Sequence, residues 1–262
     1  STAIHLTRFH VWRRQPASFF NEATIDVDGV IVGTRGQCKH GMDISYNGVW
    51  GYHPLLVSLA NTKEVLAIVN RPGNVHSADD AARQLDKAID VCSIAGFRKI
   101  RLRGDCKFSQ TEHLDRWHAQ GVTFNFGYEA RANLIEMAEN LPESAWKPLK
   151  RSRRMVQTKE RAKPENVKRK IIHQRGYVHL ELEHEEVAEF EYQPTACHRG
   201  YRMVVVRKNI TKEQGEQALF DEIRYFFYIS NDDESVTAEQ IVFSCNQRCD
   251  QENLIAQLKS GV

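Results

Sequence analysis

Three carboxylates stand out in this 262-residue sequence because of where they fall. Asp28 sits inside the stretch IDVDGVIV, Asp105 follows Gly104 in RLRGDCKFS, and Glu252 belongs to NQRCDQENLIAQLKSG. Each occupies or closes a stretch patterned as a core element, so segments far apart in the chain can bring the three together. Carboxylates gathered at one point repel one another unless a cation neutralises them, and hard oxygen ligands suit Mg²⁺ or Mn²⁺. Two such ions about 3.5 to 4 Å apart would activate a water or a 3′-hydroxyl and stabilise the leaving oxygen of a phosphodiester. That is the chemistry of nucleases and of strand transfer. Taken singly, each acid is ordinarily a surface or capping residue; the expectation rests on the set.

Asp26 competes with Asp28 for the first position, since residues two apart in a regular strand point to one face. Asp28 lies nearer the middle of its stretch, and Gly29 after it leaves room for close approach of a DNA backbone. Asp28 is therefore read as the metal ligand and Asp26 as an outer group that hydrogen-bonds a metal-bound water.

Around Glu252 the pattern predicts a helix. Thr237 with Gln240 makes a capping box, and Ile241, Val242, Cys245, Leu254, Ile255 and Leu258 recur at helical spacing up to Gly261. On one unbroken helix, Arg248, Glu252 and Lys259 fall within about 40° of each other at about 100° per residue. Two cations flanking a metal-binding acid could grip phosphates on both sides. An ordinary i,i+4 ion pair on a solvated face has the same spacing, and spacing alone leaves both readings open.

The elements that must position these residues follow from periodicity. Ile25–Val32, Tyr52–Ala60 and Val65–Asn70 read as consecutive strands of an antiparallel meander. A helix opens at Ser77 and stops at Gly96. Lys99–Arg103 is a strand, Thr111–Gln120 a helix and Val122–Tyr128 a strand. The order is β-β-β-α-β-α-β. Residues 1–23 form a partial helical segment and 24–128 the first part of the core. Residues 129–230 read as a β-rich insertion with strands at Tyr177–Glu183, Val187–Tyr192, Tyr201–Arg207 and Tyr225–Ser230, and residues 231–262 return to the core with the Glu-bearing helix.

The net charge of +2 hides a strongly uneven distribution. Twelve Lys or Arg residues between Lys147 and Arg175 face only Glu160 and Glu165. Arg151, Arg153, Arg154, Lys168, Arg169 and Lys170 are its candidate contacts to a polyanion, although a charge run is by itself a solvated face. Trp146 beside this run is a candidate for stacking on a displaced base, set against a place in the insertion core. With 41% hydrophobic residues the chain can bury a substantial core. It has no run of eighteen apolar residues and no signal-peptide pattern at its start, so a cytoplasmic location is expected. Six scattered cysteines suit reduced thiols, and Cys245 and Cys249, with Cys38 and His40 elsewhere, lack the spacing of a zinc site.

IDVDGVIV, RLRGDCKFS and NQRCDQENLIAQLKSG, together with GMDISYNGVWGYHPLLVSLANT, FEYQPTACHRGYRMVVVRKN and IRYFFYISND, resemble the DDE transposases of bacterial insertion sequences. The match is to the insertion-sequence-four superfamily, thirteen-eighty family, and covers nearly the whole chain. The resemblance implies an RNase H-like α/β fold, a mixed sheet flanked by helices, with a β-rich insertion before the last catalytic helix. It implies an endonuclease and strand-transfer enzyme of DNA transposition and recombination, working on inverted-repeat ends and target DNA. Two Mg²⁺ or Mn²⁺ ions would be held by Asp28, Asp105 and Glu252, with a homodimer on double-stranded DNA and nucleoid association when bound. Arg248 and Lys259 match the Arg and Lys of the family's Tyr-x2-Arg-x3-Glu-x6-Lys signature.

Two positions depart from the pattern: the signature Tyr is Cys245, and the D-x-T at the first acid is Asp28-Gly29-Val30. Neither change removes a carboxylate. The resembled enzymes also carry an N-terminal end-recognition domain and a C-terminal tail, so a fragment or core-only copy is expected here. An RNase H-like nuclease without joining activity and a catalytically inactive DNA-binding remnant are the alternatives.

Overall fold

The computed structural model describes residues 2–36, 38–151, 167–214, 217–218, 222–248, 251 and 254–256. Helix α1 (Thr2–Trp12) leads to strand β1 (Ala23–Gly29), the short strands β2 (Val32–Gly33), β3 (Asp43–Ile44) and β4 (Trp50–Tyr52), and then β5 (Leu55–Leu59) and β6 (Glu64–Val69). Next come α2 (Ala81–Ala95), β7 (Ile100–Gly104), α3 (Leu114–Ala119) and β8 (Thr123–Tyr128). The order ends with α4 (Ala132–Glu139), β9 (Lys147–Pro148), α5 (Val167–Gln174), β10 (Val178–Tyr192), β11 (Tyr201–Gln214), β12 (Gln217–Ala218), β13 (Glu222–Ser230) and α6 (Ala238–Asn246).

These elements fall into two compact units. One holds Ser1–Glu129, Phe190–Met203 and Tyr228–Val262, and the other Ala130–Glu189 and Val204–Phe227. In the first, the sheet order is β6-β5-β1-β7-β8. β1 pairs antiparallel with β5 and β5 with β6, whereas β1–β7 and β7–β8 are parallel. A meander followed by two parallel strands reached through α2 and α3 is the RNase H-like arrangement. β5, LLVSL, is buried along its whole length, as a central strand covered on both faces must be. Helix α2 packs on β1, β5 and β7 through Ala81, Leu85, Ala88, Ile89 and Cys92, and α6 packs on β8. Ile25, Leu55, Leu59, Leu102, Phe124 and Phe126 are all under 2% exposed, and each such side chain contributes about 1.5 to 3 kcal/mol by leaving water.

Three local differences from the periodicity have visible causes. Val30 and Ile31 do not continue β1; Val32 and Gly33 turn off into a separate three-stranded sheet, β2-β4-β3. The two expected strands at 177–183 and 187–192 are one strand, β10, because the intervening Glu185 is paired with Arg151 and Lys208 and so does not interrupt it. The helix predicted from Thr237 to Leu258 is capped as expected but is interrupted after Asn246, with Arg248 in a turn, and the described residues 251 and 254–256 are again helical. The Ser244 carbonyl, which the Arg248 amide would take in an unbroken helix, accepts a 2.8 Å bond from Arg103 Nη1, and Ser, Cys and Asn at 244–246 are weak helix formers.

In the second unit the sheet is built from β9, β12 and the 178–189, 204–214 and 222–227 parts of the long strands. Arg207 binds Glu143 and Glu186 and lies 4.3 Å from the centre of the Trp146 ring, which also meets Tyr225. Trp146 is 7% exposed. It is a core side chain with its faces already covered, which removes it as a platform for a displaced base.

Candidate active site

β1 and β7 bring the first two acids together. Their parallel ladder runs from Ala23 and Ile100 to Asp26 and Arg103, and Asp28 and Asp105 each lie two residues beyond that last pair. Asp28 is the sixth residue of β1, and Asp105 follows the last residue of β7. Both line one cleft of about 870 Å³ at this end of the strands. Each carboxylate is steered by backbone: Asp28 Oδ1 accepts from the Gly29 amide at 2.8 Å, and Asp105 Oδ1 accepts from the Lys107 amide at 2.7 Å, capping the short turn Cys106–Phe108. On β8, Gly127 makes room for that turn, since a Cβ there would lie 2.9 Å from the Cys106 amide nitrogen.

Behind the acids lies a layer that periodicity does not reveal. Asp26, 2% exposed, accepts from Arg103 Nε at 2.7 Å and from Arg103 Nη2 at 2.9 Å. Its two oxygens are turned to the guanidinium, and Asp26 is not part of the cleft lining. Arg103 also reaches Ser244, so one side chain ties β7, β1 and α6 together. One turn of alternation earlier, Arg101 pairs with Asp232 at 2.6 Å and with Glu22 at 3.0 Å.

The Gly73–Ser77 part of the cleft lining is organised by Arg71 and His53, neither of which is marked by its spacing. Arg71 is buried and donates to the carbonyls of His53, Ser77 and Asp79, which holds the loop Gly73–Ser77 in place. His53 is 3% exposed; its Nδ1 lies 3.0 Å from the Val75 carbonyl, which fixes the neutral ring with Nε2 towards Gly29. Burial, which outweighs the favourable carbonyl contact, lowers the His53 pKa, and the Arg71 and His76 charges add to this. A Cβ at Gly29 would come within 2.6 Å of His53 Nε2, so the glycine beside Asp28 is required by the histidine packed on it.

The remaining candidates are distributed as follows. Glu252, Lys259, Arg153 and Arg154 lie outside the described residues, as do the side chains of Lys168 and Arg169 on α5. Arg151 is paired with Glu185, and Lys170 is exposed on α5. Arg248 keeps Nη1 buried with no hydrogen-bond partner among the described residues. Cys245, at the signature Tyr position, is buried against the Asn125 carbonyl and its thiol is pushed up to about 12 by that burial. Among the described residues no group of three His, Cys, Asp or Glu side chains is gathered closely enough to hold a metal ion. The donor set that is present, two carboxylates lining one cleft, is the hard oxygen type that suits a divalent ion of the Mg²⁺ kind. No helix among the described residues is long and apolar enough to cross a membrane.

The family model "Transposase DDE domain group 1" matches residues 7–262. No curated protein sequence matches the chain. Among solved structures, the chain is similar to the piggyBac transposase in a cryo-EM structure of its synaptic complex with hairpin DNA, at 15% identity and a TM-score of 0.44. That match covers 91% of this chain and 40% of the other, so the chain spans well under half the length of that transposase.

Proposed function

The chain belongs to the transposase DDE domain group 1 family, and from that premise we propose that it cuts DNA at the ends of a bacterial insertion sequence and joins the freed 3′ ends to target DNA. The observation that supports the reading is that Asp28 on β1 and Asp105 just past β7, two residues beyond the last pair of one parallel ladder, line a single cleft. Glu252 completes the set from the segment after α6. Asp28, Asp105 and Glu252 would hold two Mg²⁺ or Mn²⁺ ions. Bound there, such ions lower the pKa of the attacking water and neutralise charge on the leaving oxygen.

The chain's own residues do the rest. The Gly29 and Lys107 amides hold one oxygen of each acid, so the carboxylates meet the substrate pre-oriented. Arg103 and Asp26 keep the two strand ends in register with α6. Arg248 and Lys259 grip phosphates beside the cut, and the basic run with Arg151, Arg153, Arg154, Lys168, Arg169 and Lys170 binds the duplex further along. The working form on DNA is a homodimer, one copy for each end of the element.

The test is nicking of supercoiled plasmid in Mg²⁺, with joined products scored alongside. Asp105→Asn should bind DNA like the parent and show no nicking. Nicking by the folded variant at the parental rate would overturn the assignment. A parent that nicks but never joins would be an RNase H-like nuclease instead.

A further inference from the structure

Between β1 and β5 the chain detours through the small sheet β2-β4-β3, whose tip is the turn Ser45–Val49. Hydrogen bonds lock this turn. The Ser45 amide donates to the Val49 carbonyl at 2.9 Å, the Val49 amide to Ser45 Oγ at 3.0 Å and the Gly48 amide to the Ser45 carbonyl at 2.9 Å. Ser45 Oγ donates to the Val49 carbonyl at 2.9 Å, and Gly48 takes the left-handed φ of +79° that the turn needs. Ser45 itself is buried, yet Tyr46 next to it is 86% exposed. The hydrogen bonds thus fix the turn that presents the Tyr46 ring to water, where the ring contributes almost nothing to stability.

Its position gives that arrangement a meaning. Tyr46, Asn47 and Val49 line the same cleft as Asp28 and Asp105. On the strands behind the tip, Ile44 and Trp50 are cross-strand partners and are 57% and 45% exposed. A single exposed apolar side chain needs no explanation, but three on one small hairpin do. The loop leading into it carries Arg35, Lys39 and His40, with no acid before Asp43. Those three lie outside the cleft lining, whereas Lys107 is part of it. An exposed aromatic ring with a cation in one groove is a combination that binds single-stranded nucleic acid, with a base stacking on the ring and a phosphate meeting the charge.

We propose that Tyr46 is a stacking platform for an unpaired nucleobase next to the phosphate that enters the cleft of Asp28 and Asp105. The assignment rests on the DNA-cutting reading above and adds a base-binding subsite to it. Because every base has a π-face, the subsite accepts any of the four, and it favours a strand already opened at the cut over intact duplex. A protein partner seated on Tyr46 would cover the acids, so the cleft favours DNA as the occupant.

The experiment uses the full chain and a single-stranded oligonucleotide carrying one 2-aminopurine, with Ca²⁺ in place of Mg²⁺ so that binding is read apart from cutting. The parent should quench the 2-aminopurine on binding. Tyr46→Ala should lose the quenching and bind roughly tenfold more weakly, while Tyr46→Phe, which keeps the ring, should stay near the parent. No quenching by the parent, unchanged quenching by Tyr46→Ala, or an equal loss in Tyr46→Phe overturns the subsite. The two readings fail separately. A parent that quenches in Ca²⁺ but never nicks in Mg²⁺ retains the subsite and sinks the cutting reading. A parent that nicks, with Tyr46→Ala binding as it does, sinks the subsite alone.

Discussion

Asp26 and Arg103 face each other at the last pair of two adjacent parallel strands, joined through both carboxylate oxygens and two guanidinium nitrogens, and each lies two residues before a cleft acid, Asp28 or Asp105. Both side chains are nearly inaccessible, at 2% and 6%. Removing one partner of such a buried pair typically costs about 3 to 5 kcal/mol, because the other charge is left without compensation. Asp26→Asn should therefore lower the thermal midpoint substantially. Asp28→Asn, at the cleft, should leave the midpoint near the parent and abolish cutting. Measuring melting and nicking on both variants separates the roles. An Asp26→Asn protein with parental stability and no activity would make Asp26 the acid that acts on substrate.

Gly29 and His53 form a second coupled pair. Gly29→Ala places a Cβ 2.6 Å from His53 Nε2, an overpacking that costs roughly 1 to 3 kcal/mol and displaces Asp28 next to it. The nicking rate should fall with stability. Adding His53→Ala should restore part of both, and a double variant no better than Gly29→Ala would show that the clash is not the cause.

The basic run is testable through salt. Arg151 is held by Glu185, so reversing it disturbs the sheet as well as the surface. Arg153→Glu with Arg154→Glu is the cleaner change. If both arginines meet phosphates, the slope of log affinity against log salt should shrink by about 0.9 for each phosphate no longer neutralised, alike on all DNA sequences. An unchanged slope returns the run to a solvated face.

Asp115 sets an acid-side prediction. Burial pushes its carboxyl up, but the Tyr201 hydroxyl at 2.6 Å and the His198 amide at 2.6 Å outweigh this and hold it below the usual aspartate range. A depressed folded-state pKa stabilises the protein above the unfolded value of about 3.9, and that contribution disappears as the pH falls through the folded value. The stability gap between parent and Asp115→Asn should thus be widest near neutrality and close below about pH 4. Melting curves across that range would show it, and a gap independent of pH would count against the two hydrogen bonds.

The core strands and the two acids on them were legible because alternation and turn residues act locally. IDVDGVIV and RLRGD each name a buried face by residue type, but alternation does not say which strands pair, and the parallel pairing of β1 with β7 is what brings Asp28 and Asp105 to one cleft. The network behind them was not legible. Arg101 and Arg103 read as the polar face of a strand, yet Arg103 is buried against Asp26 and Arg101 is half-buried against Asp232. The bond from Arg103 to Ser244 joins residues 141 apart and lies where the helix is interrupted. His53 and Arg71 are silent in the sequence for a related reason: their partners are backbone carbonyls, which leave no mark in residue type.

The ladder between β1 and β7 has one more implication. Neighbouring strands in a sheet stand about 4.8 Å apart, a spacing dictated by peptide hydrogen bonds and indifferent to side chains. The gap between the backbones at Asp26 and Arg103, the last rung before the two acids, is therefore a property of the polypeptide itself, like the rung of a ruler. Exchanges of one apolar residue for another on these strands leave that ruler intact. A slip of a single residue in their pairing would turn one acid into the core and leave the other alone in the cleft, with every side chain still present.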